Sequence, residues 1–134
     1  MHSPSRTLRW LLLVTDVGFL AYWCLTALHV LPQSLLFKDY DNPILVAWNG
    51  SFFPLDILAS VLGLWSLLQW NRGHASWRSF ALLSLALTSC AGLMALSFWT
   101  LRDDYDLLWW APNLFLLLWP IPFIAKFVTN KDNA

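Results

Sequence analysis

Four apolar runs, each close to the length that crosses a lipid bilayer, constrain this chain more than any other feature. They occupy residues 8–31, 52–70, 77–101 and 107–127. The hydrocarbon core of a bilayer is about 30 Å thick, and about 20 residues of α-helix span it. Because lipid offers the backbone no hydrogen-bond partners, each run must be helical. The sequence therefore predicts an all-α fold, a four-helix transmembrane bundle that forms one integral membrane domain over residues 1–134.

Composition supports the membrane class and excludes one class of partner. Hydrophobic side chains make up 58% of the chain and charged ones 12%, outside the range of soluble globular domains. The formal net charge is zero and no run of Lys or Arg occurs, so nucleic-acid binding is not expected. The expected partners are membrane lipid and a hydrophobic small molecule, whereas the sequence defines no oligomeric state.

Prolines predict two departures from four straight helices. In the long first connection, Asn42-Pro43 has the pattern of a helix start, with Asn as the cap and Pro at the first helical position. Residues 43–48 are therefore interpreted either as a short surface helix or as an early turn of the second helix. The fourth run contains three prolines, each of which removes a backbone donor, so a kinked helix is expected there; they are Pro112, Pro120 and Pro122.

Lys and Arg placement predicts the orientation, since these residues are enriched on the cytoplasmic side of membrane proteins. One side of the predicted bundle has six of them and the other has two. We therefore expect a multi-pass protein of the cell (inner) membrane with both termini in the cytoplasm. The six are Arg6, Arg9, Arg72, Arg78, Lys126 and Lys131, and the two are Lys38 and Arg102.

Asp56 is the main candidate for a functional residue because it lies inside a run that should span the membrane. An acid near the centre of a span costs roughly 2.5–3.5 kcal/mol on insertion scales, so its presence suggests a site. Helical spacing and a rise of about 1.5 Å per residue bring other polar and aromatic side chains to its level in the outer half of the bundle. The candidate ligand-binding residues are Asp56, Asn113, His29, Tyr22 and Thr26, with Trp48 and Trp99 at the mouth of the pocket.

A structural role competes with this hypothesis, because hydrogen bonds between polar side chains also fix the packing of membrane helices. A second acid, Asp16, lies nearer the cytoplasmic half, and Trp23 follows two turns later on the same face. It is predicted to be a buried polar residue, either protonated or held by hydroxyl and indole donors, that serves helix packing or a proton relay. The three histidines fall on different sides and no metal-ligand spacing occurs, so neither a metal nor another cofactor is expected.

The central block of the chain resembles the YvaD-like family of small bacterial membrane proteins. The resemblance rests on Thr15-Asp16-Val17-Gly18-Phe19-Leu20, Leu36-Phe37-Lys38-Asp39-Tyr40 and Asn42-Pro43-Ile44-Leu45-Val46-Ala47-Trp48-Asn49, and it covers most of the chain. It implies a multi-pass membrane protein and no particular activity.

A second resemblance is to the EXPERA-type four-helix membrane fold of sterol isomerases and sigma-2-receptor-like proteins. The shared features are the helix count, the long first connection, an acid early in the second helix, here Asp56, and Ala111-Pro112 at the start of the fourth. This resemblance implies a ligand pocket inside the bundle. The favoured function is therefore binding of a lipid-like molecule, and the alternatives are an isomerase-type enzyme with Asp56 as acid and base or a structural or regulatory membrane protein.

The Lys and Arg asymmetry predicts the outcome of a topology experiment. Reporter fusions at residue 74 and at the C-terminus should both report a cytoplasmic location, because an even number of spans returns the chain to the side on which it started. A periplasmic signal from either fusion would reverse the predicted orientation.

Overall fold

The computed structural model describes residues 4–32 and 41–129, which form helices and, within those ranges, no strand. Four helical stretches are long and apolar enough to cross a membrane, so the predicted all-α fold with four such helices is confirmed. Several residues of the sequence argument lie outside the described ranges: His2, residues 36–40 of the first connection and Lys131. The helices are α1 (Arg6–Ala27), α2 (Pro43–Gly50), α3 (Phe52–Asn71), α4 (Trp77–Leu101), α5 (Leu107–Leu118) and α6 (Ile121–Thr129).

Helix α1 ends at Ala27, four residues before the predicted end of the first span. His29 has a φ of 54°, which is the left-handed conformation, and its backbone N–H donates to Thr26 O at 3.1 Å. The next N–H, of Val30, donates to Leu25 O at 3.1 Å. This pair of bonds is the Schellman ending of a helix. The same bond pattern ends α3 at Gly73 and α4 at Asp103, both of which also have positive φ.

The segment after the first connection is a separate short helix that leads directly into α3. The Asn42 side chain accepts a hydrogen bond from the backbone of Ile44 at 3.0 Å, and Pro43 is the first helical residue, as the sequence pattern predicted. Only Ser51 separates α2 from α3. Residues 43–71 therefore form one continuous apolar stretch made of two helices.

The fourth span is interrupted where the sequence predicted a kink. Helix α5 ends at Leu118 and α6 begins at Ile121, with Trp119 and Pro120 between them. The last carbonyls of a helix need partners from outside it. Ser89 of α4 provides one, since its hydroxyl donates to Leu117 O at 2.9 Å.

Helix α4 is the centre of the bundle, because it packs on α3, α5 and α6, while α3 also packs on α1 and α2. Successive long helices are antiparallel, so α1 and α4 finish at one end, called here the upper end, where α3 and α5 begin. Helix α4 lies very close to the backbone of α5 at Gly92. A Cβ atom at this position would lie 2.5 Å from Asn113 O and 2.6 Å from Leu117 N.

Two apolar clusters close the bundle at its opposite ends. At the upper end, Leu45 of α2 packs on Trp99 of α4, with four further aromatic side chains around them. Many large apolar side chains remain exposed on the outside, among them Leu101 and Leu107, as expected for helices that face lipid. The cluster at the lower end consists of Leu8, Leu12, Trp77, Ala81, Leu85 and Trp119.

The backbone contact at Gly92 predicts a difference between two Gly to Ala substitutions. Gly92→Ala should lower the free energy of unfolding by about 1–3 kcal/mol, because the atoms in its way belong to the α5 backbone and cannot rotate aside. Gly18→Ala is the matched control in α1, since a Cβ there meets nothing within 4 Å. It should be neutral or stabilise by up to about 1 kcal/mol through helix propensity. Thermal unfolding in detergent measures both, and equal melting temperatures for the two variants would contradict the close α4–α5 contact.

Candidate functional site

A cavity of about 370 Å³ lies in the upper half of the bundle, below the cluster of Leu45 and Trp99. All the helices except α6 contribute to its wall, and it is neither fully enclosed nor flat. Most of the lining is aromatic or aliphatic, with few polar groups. The lining residues are Phe19, Tyr22, Trp23, Leu31, Trp48, Asn49, Phe52, Asp56, Ala91, Ala95, Trp99, Leu108, Trp109, Pro112, Asn113 and Leu116.

Among the described residues that line the cavity, Asp56 is the one acid, and one of its two carboxylate oxygens already accepts a hydrogen bond. It lies in the second turn of α3 and is 6% exposed. The indole N–H of Trp23 on α1 donates to Asp56 Oδ2 at 2.9 Å. Its other oxygen, Oδ1, is buried and has no hydrogen-bond partner among the described residues. A buried acceptor without a partner costs about 1–3 kcal/mol, and a bound molecule that reached Oδ1 and donated to it would remove that cost.

Two further polar groups of the lining have part of their hydrogen-bonding capacity committed. The Asn49 amide donates to the Tyr22 hydroxyl oxygen at 3.4 Å, which leaves the Tyr22 O–H free to donate. The Asn113 amide N–H donates to Trp109 O on its own helix at 2.8 Å, which leaves the side-chain oxygen of Asn113 as an acceptor. The cavity therefore offers acceptors from α3 and α5 and a donor from α1.

Aromatic rings form the upper wall of the cavity. Trp48 of α2 stacks on Phe98 with ring centroids 3.8 Å apart and meets Trp99 edge to face at 5.7 Å. The guanidinium of Arg102 lies 5.7 Å from the Phe98 ring and 5.9 Å from the Trp99 ring. These contacts tie the short helix α2 to the end of α4 and place a cation on the outer side of the aromatic wall.

Five of the seven candidate ligand-binding residues line this cavity, and two do not. Thr26 donates its hydroxyl to Tyr22 O on its own helix at 2.8 Å. His29 is exposed at the left-handed turn that ends α1, with its ring nitrogen 3.1 Å from Ala27 O. Neither forms a hydrogen bond with Asp56 in the described part of the chain. The five are Asp56, Asn113, Tyr22, Trp48 and Trp99.

Sequence reasoning missed Trp23, which is the hydrogen-bond partner of Asp56. Its spacing of seven residues from Asp16 placed it on the Asp16 face of α1, and that placement is right. Asp56 and Gly63 are likewise seven residues apart on α3, and α1 packs on α3 through both pairs. The sequence therefore contained a signal for this contact, since the two residues on α1 and the two on α3 are each separated by seven positions. Trp109, Pro112 and Leu116 were also missed, although they share the helical spacing of Asn113.

Asp16 is buried two turns below the Trp23–Asp56 hydrogen bond and does not line the cavity. Its side chain is 0% exposed, and neither carboxylate oxygen has a hydrogen-bond partner in the described part of the chain. It lies against Gly63 of α3 so closely that a Cβ atom there would overlap the carboxylate. The hydroxyl and indole donors that the sequence offered as one of two alternatives do not bond to it among the described residues, and the Trp23 indole donates to Asp56 instead.

Comparison with known proteins identifies relatives but no activity. A family model described as a family of unknown function (DUF5360) matches residues 8–134. The uncharacterised protein YvaD of Bacillus subtilis (strain 168) is 50% identical over 119 residues, which cover 89% of this chain and 90% of that protein. No solved structure matches the chain significantly.

The Trp23–Asp56 hydrogen bond predicts the effect of removing its donor. Trp23→Phe keeps an aromatic ring and deletes the N–H, so it should cost about 1–3 kcal/mol of unfolding free energy by leaving a second buried acceptor without a partner. Trp10→Phe is the control on the same helix, where the side chain is 60% exposed, and should stay within about 0.5 kcal/mol of wild type. Both are measured by thermal unfolding in detergent. A Trp23→Phe variant as stable as Trp10→Phe would show that the bond does not stabilise the fold.

Proposed function

We propose that this chain, which belongs to a family of unknown function (DUF5360), binds a lipid-like hydrophobic small molecule in the upper cavity of its bundle. Its family is the one that the resemblance of the central block predicted. The observation that carries this proposal is the pairing of an apolar cavity with one buried carboxylate oxygen that has no partner in the described ranges 4–32 and 41–129. Apolar walls with a few convergent polar groups are typical of small-molecule sites in proteins.

The size and lining of the cavity favour a hydrophobic ligand. Its volume of about 370 Å³ falls within the range of about 300–1,000 Å³ found for small-molecule sites. Aromatic rings from five helices wall it, including Phe19, Trp48, Phe52, Trp99 and Trp109. Rings of this kind bury a large area with little loss of side-chain entropy, so they suit an acyl chain or a fused ring system.

The polar groups favour a ligand with a hydrogen-bond donor, such as a hydroxyl group. Asp56 Oδ1 is an acceptor without a partner among the described residues, and the side-chain oxygen of Asn113 is a second acceptor on the opposite wall. Pro112 adds a third, because it has no N–H to donate to the carbonyl of Leu108, which also lines the cavity. The Tyr22 hydroxyl is a donor on the α1 wall.

The proposed orientation places this cavity in the outer half of the membrane. The Lys and Arg asymmetry puts the upper end of the bundle outside, and Asp56 lies about 6 Å below the start of α3 at a rise of about 1.5 Å per residue. In that position the ligand's polar group lies near the lipid headgroups and its apolar part extends toward the centre of the bilayer.

The proposal is tested by Asp56→Asn, which changes the cavity more than the fold. The Asn side chain keeps one oxygen to accept the Trp23 hydrogen bond and replaces the free oxygen by an NH₂ group. A ligand that donates to Oδ1 then meets a second donor, so the ligand should be lost while the melting temperature stays close to that of wild type. Mass spectrometry of the small molecules that co-purify with the protein, run on the same samples as thermal unfolding, measures both effects.

The matched control is Asp103→Asn, in the exposed turn at the same end of the bundle, which should retain both stability and the co-purifying molecules. Asn113→Leu removes the acceptor on the opposite wall and should weaken retention as well. An Asp56→Asn variant that is destabilised but retains the same molecules as wild type would leave Asp56 with a structural role only and would refute the proposal.

A further inference from the structure

We propose that a second site, in the lower half of the bundle, binds a small monovalent cation, Na⁺. It is formed by the Asp16 carboxylate and the Ser84 hydroxyl of α4 where they meet at Gly63 of α3. The site is independent of the cavity, since neither Asp16 nor Ser84 lines it.

Oxygen atoms from α1 and α4 lie close together at one position on α3. A Cβ atom at Gly63 would overlap the Asp16 carboxylate and would lie 2.8 Å from Ser84 Oγ, so both groups share the space that a larger side chain on α3 would fill. Both residues are 0% exposed. Ser84 Oγ and both Asp16 oxygens have no hydrogen-bond partner among the described residues.

Two more buried hydroxyl groups lie close in sequence to these residues. Thr88 follows Ser84 by four residues on α4 and is 1% exposed, and Thr15 precedes Asp16 on α1. Their Oγ1 atoms are buried and without partners in the described part of the chain. A group of buried oxygens that do not bond to one another has lone pairs to offer, which is the arrangement that a hard cation needs.

Charge balance selects a monovalent ion. Within α1, α3 and α4, Lys and Arg occur only in the first turns, at Arg6, Arg9 and Arg78, so no protein cation lies at the level of Asp16. The other acid in these helices, Asp56, is two turns above and accepts the Trp23 hydrogen bond. One carboxylate is neutralised by one positive charge, whereas a divalent ion would leave a net charge buried at high cost.

The ligand atoms also favour Na⁺ over softer metals. Among residues 4–32 and 41–129 no three His, Cys, Asp or Glu side chains cluster, so the set here is one carboxylate with hydroxyl groups. Oxygen-only sets of this kind bind hard cations and discriminate against metals that prefer nitrogen or sulfur ligands. The close contact with Gly63 leaves little room, which disfavours the larger K⁺.

Thermal unfolding of the purified full-length protein tests the proposal, with choline replaced by Na⁺ or by K⁺ at constant pH and ionic strength. Binding to the folded state raises the melting temperature as ligand is added. We expect a saturable rise with Na⁺ and little change with K⁺. Ser84→Ala should raise the Na⁺ concentration of half-maximal effect by about tenfold or more. Ser97→Ala, an exposed position on the same helix, should leave it unchanged.

Asp16→Asn should abolish the response to Na⁺ altogether. Gly63→Ala, which places a Cβ in the carboxylate's space, should do the same. A wild-type melting temperature that does not respond to Na⁺, or that depends on pH alone, would overturn the proposal and leave a proton as the only ion at Asp16. Because that result needs no variant, the test stands even where Asp16→Asn fails to fold.

Discussion

The close approach of α4 to its neighbours is the constraint on which the rest of the bundle depends. In lipid the hydrophobic effect does not draw helices together, so association relies on packing and on interhelical hydrogen bonds. Small side chains along the buried side of α4 allow that packing. They face different parts of the protein at the lower and upper ends of the bundle. Ser84 faces the α1–α3 contact at Asp16, where the helices touch, whereas Ala91 and Ala95 face the cavity, where short side chains leave room for a ligand.

The α1–α3 interface is fixed by two polar contacts rather than by apolar packing alone. Trp23 bonds to Asp56, and Asp16 lies against Gly63, so the two contacts are seven residues apart on each helix and fall on one face of each. A slip of one residue would separate both pairs. The two acids thus define the register of α1 on α3, and each still has carboxylate oxygen without a partner in the described residues.

Sequence periodicity predicted the fold and five of the sixteen residues that line the cavity, because span length and depth follow from helix geometry alone. Asp56, Asn113, Tyr22, Trp48 and Trp99 were found because each lies at the same depth in its own helix. Trp23 was not recognised as the partner of Asp56, because periodicity orders residues around one helix axis and does not state which neighbour that face meets. The end of α1 was misplaced because His29, rather than a glycine, adopts the left-handed conformation.

The prolines of the fourth span have different consequences according to their position. Pro112 lies beside the cavity and leaves the carbonyl of Leu108, another lining residue, without its usual helical donor. Pro120 and Pro122 lie lower, where α5 gives way to α6, and there Ser89 donates to Leu117 O. A broken helix in a membrane needs such a substitute donor. At the lower position Ser89 thus supplies a donor to a carbonyl near the end of α5, and at the upper one, on the proposed function, the bound molecule supplies the donor that Pro112 lacks.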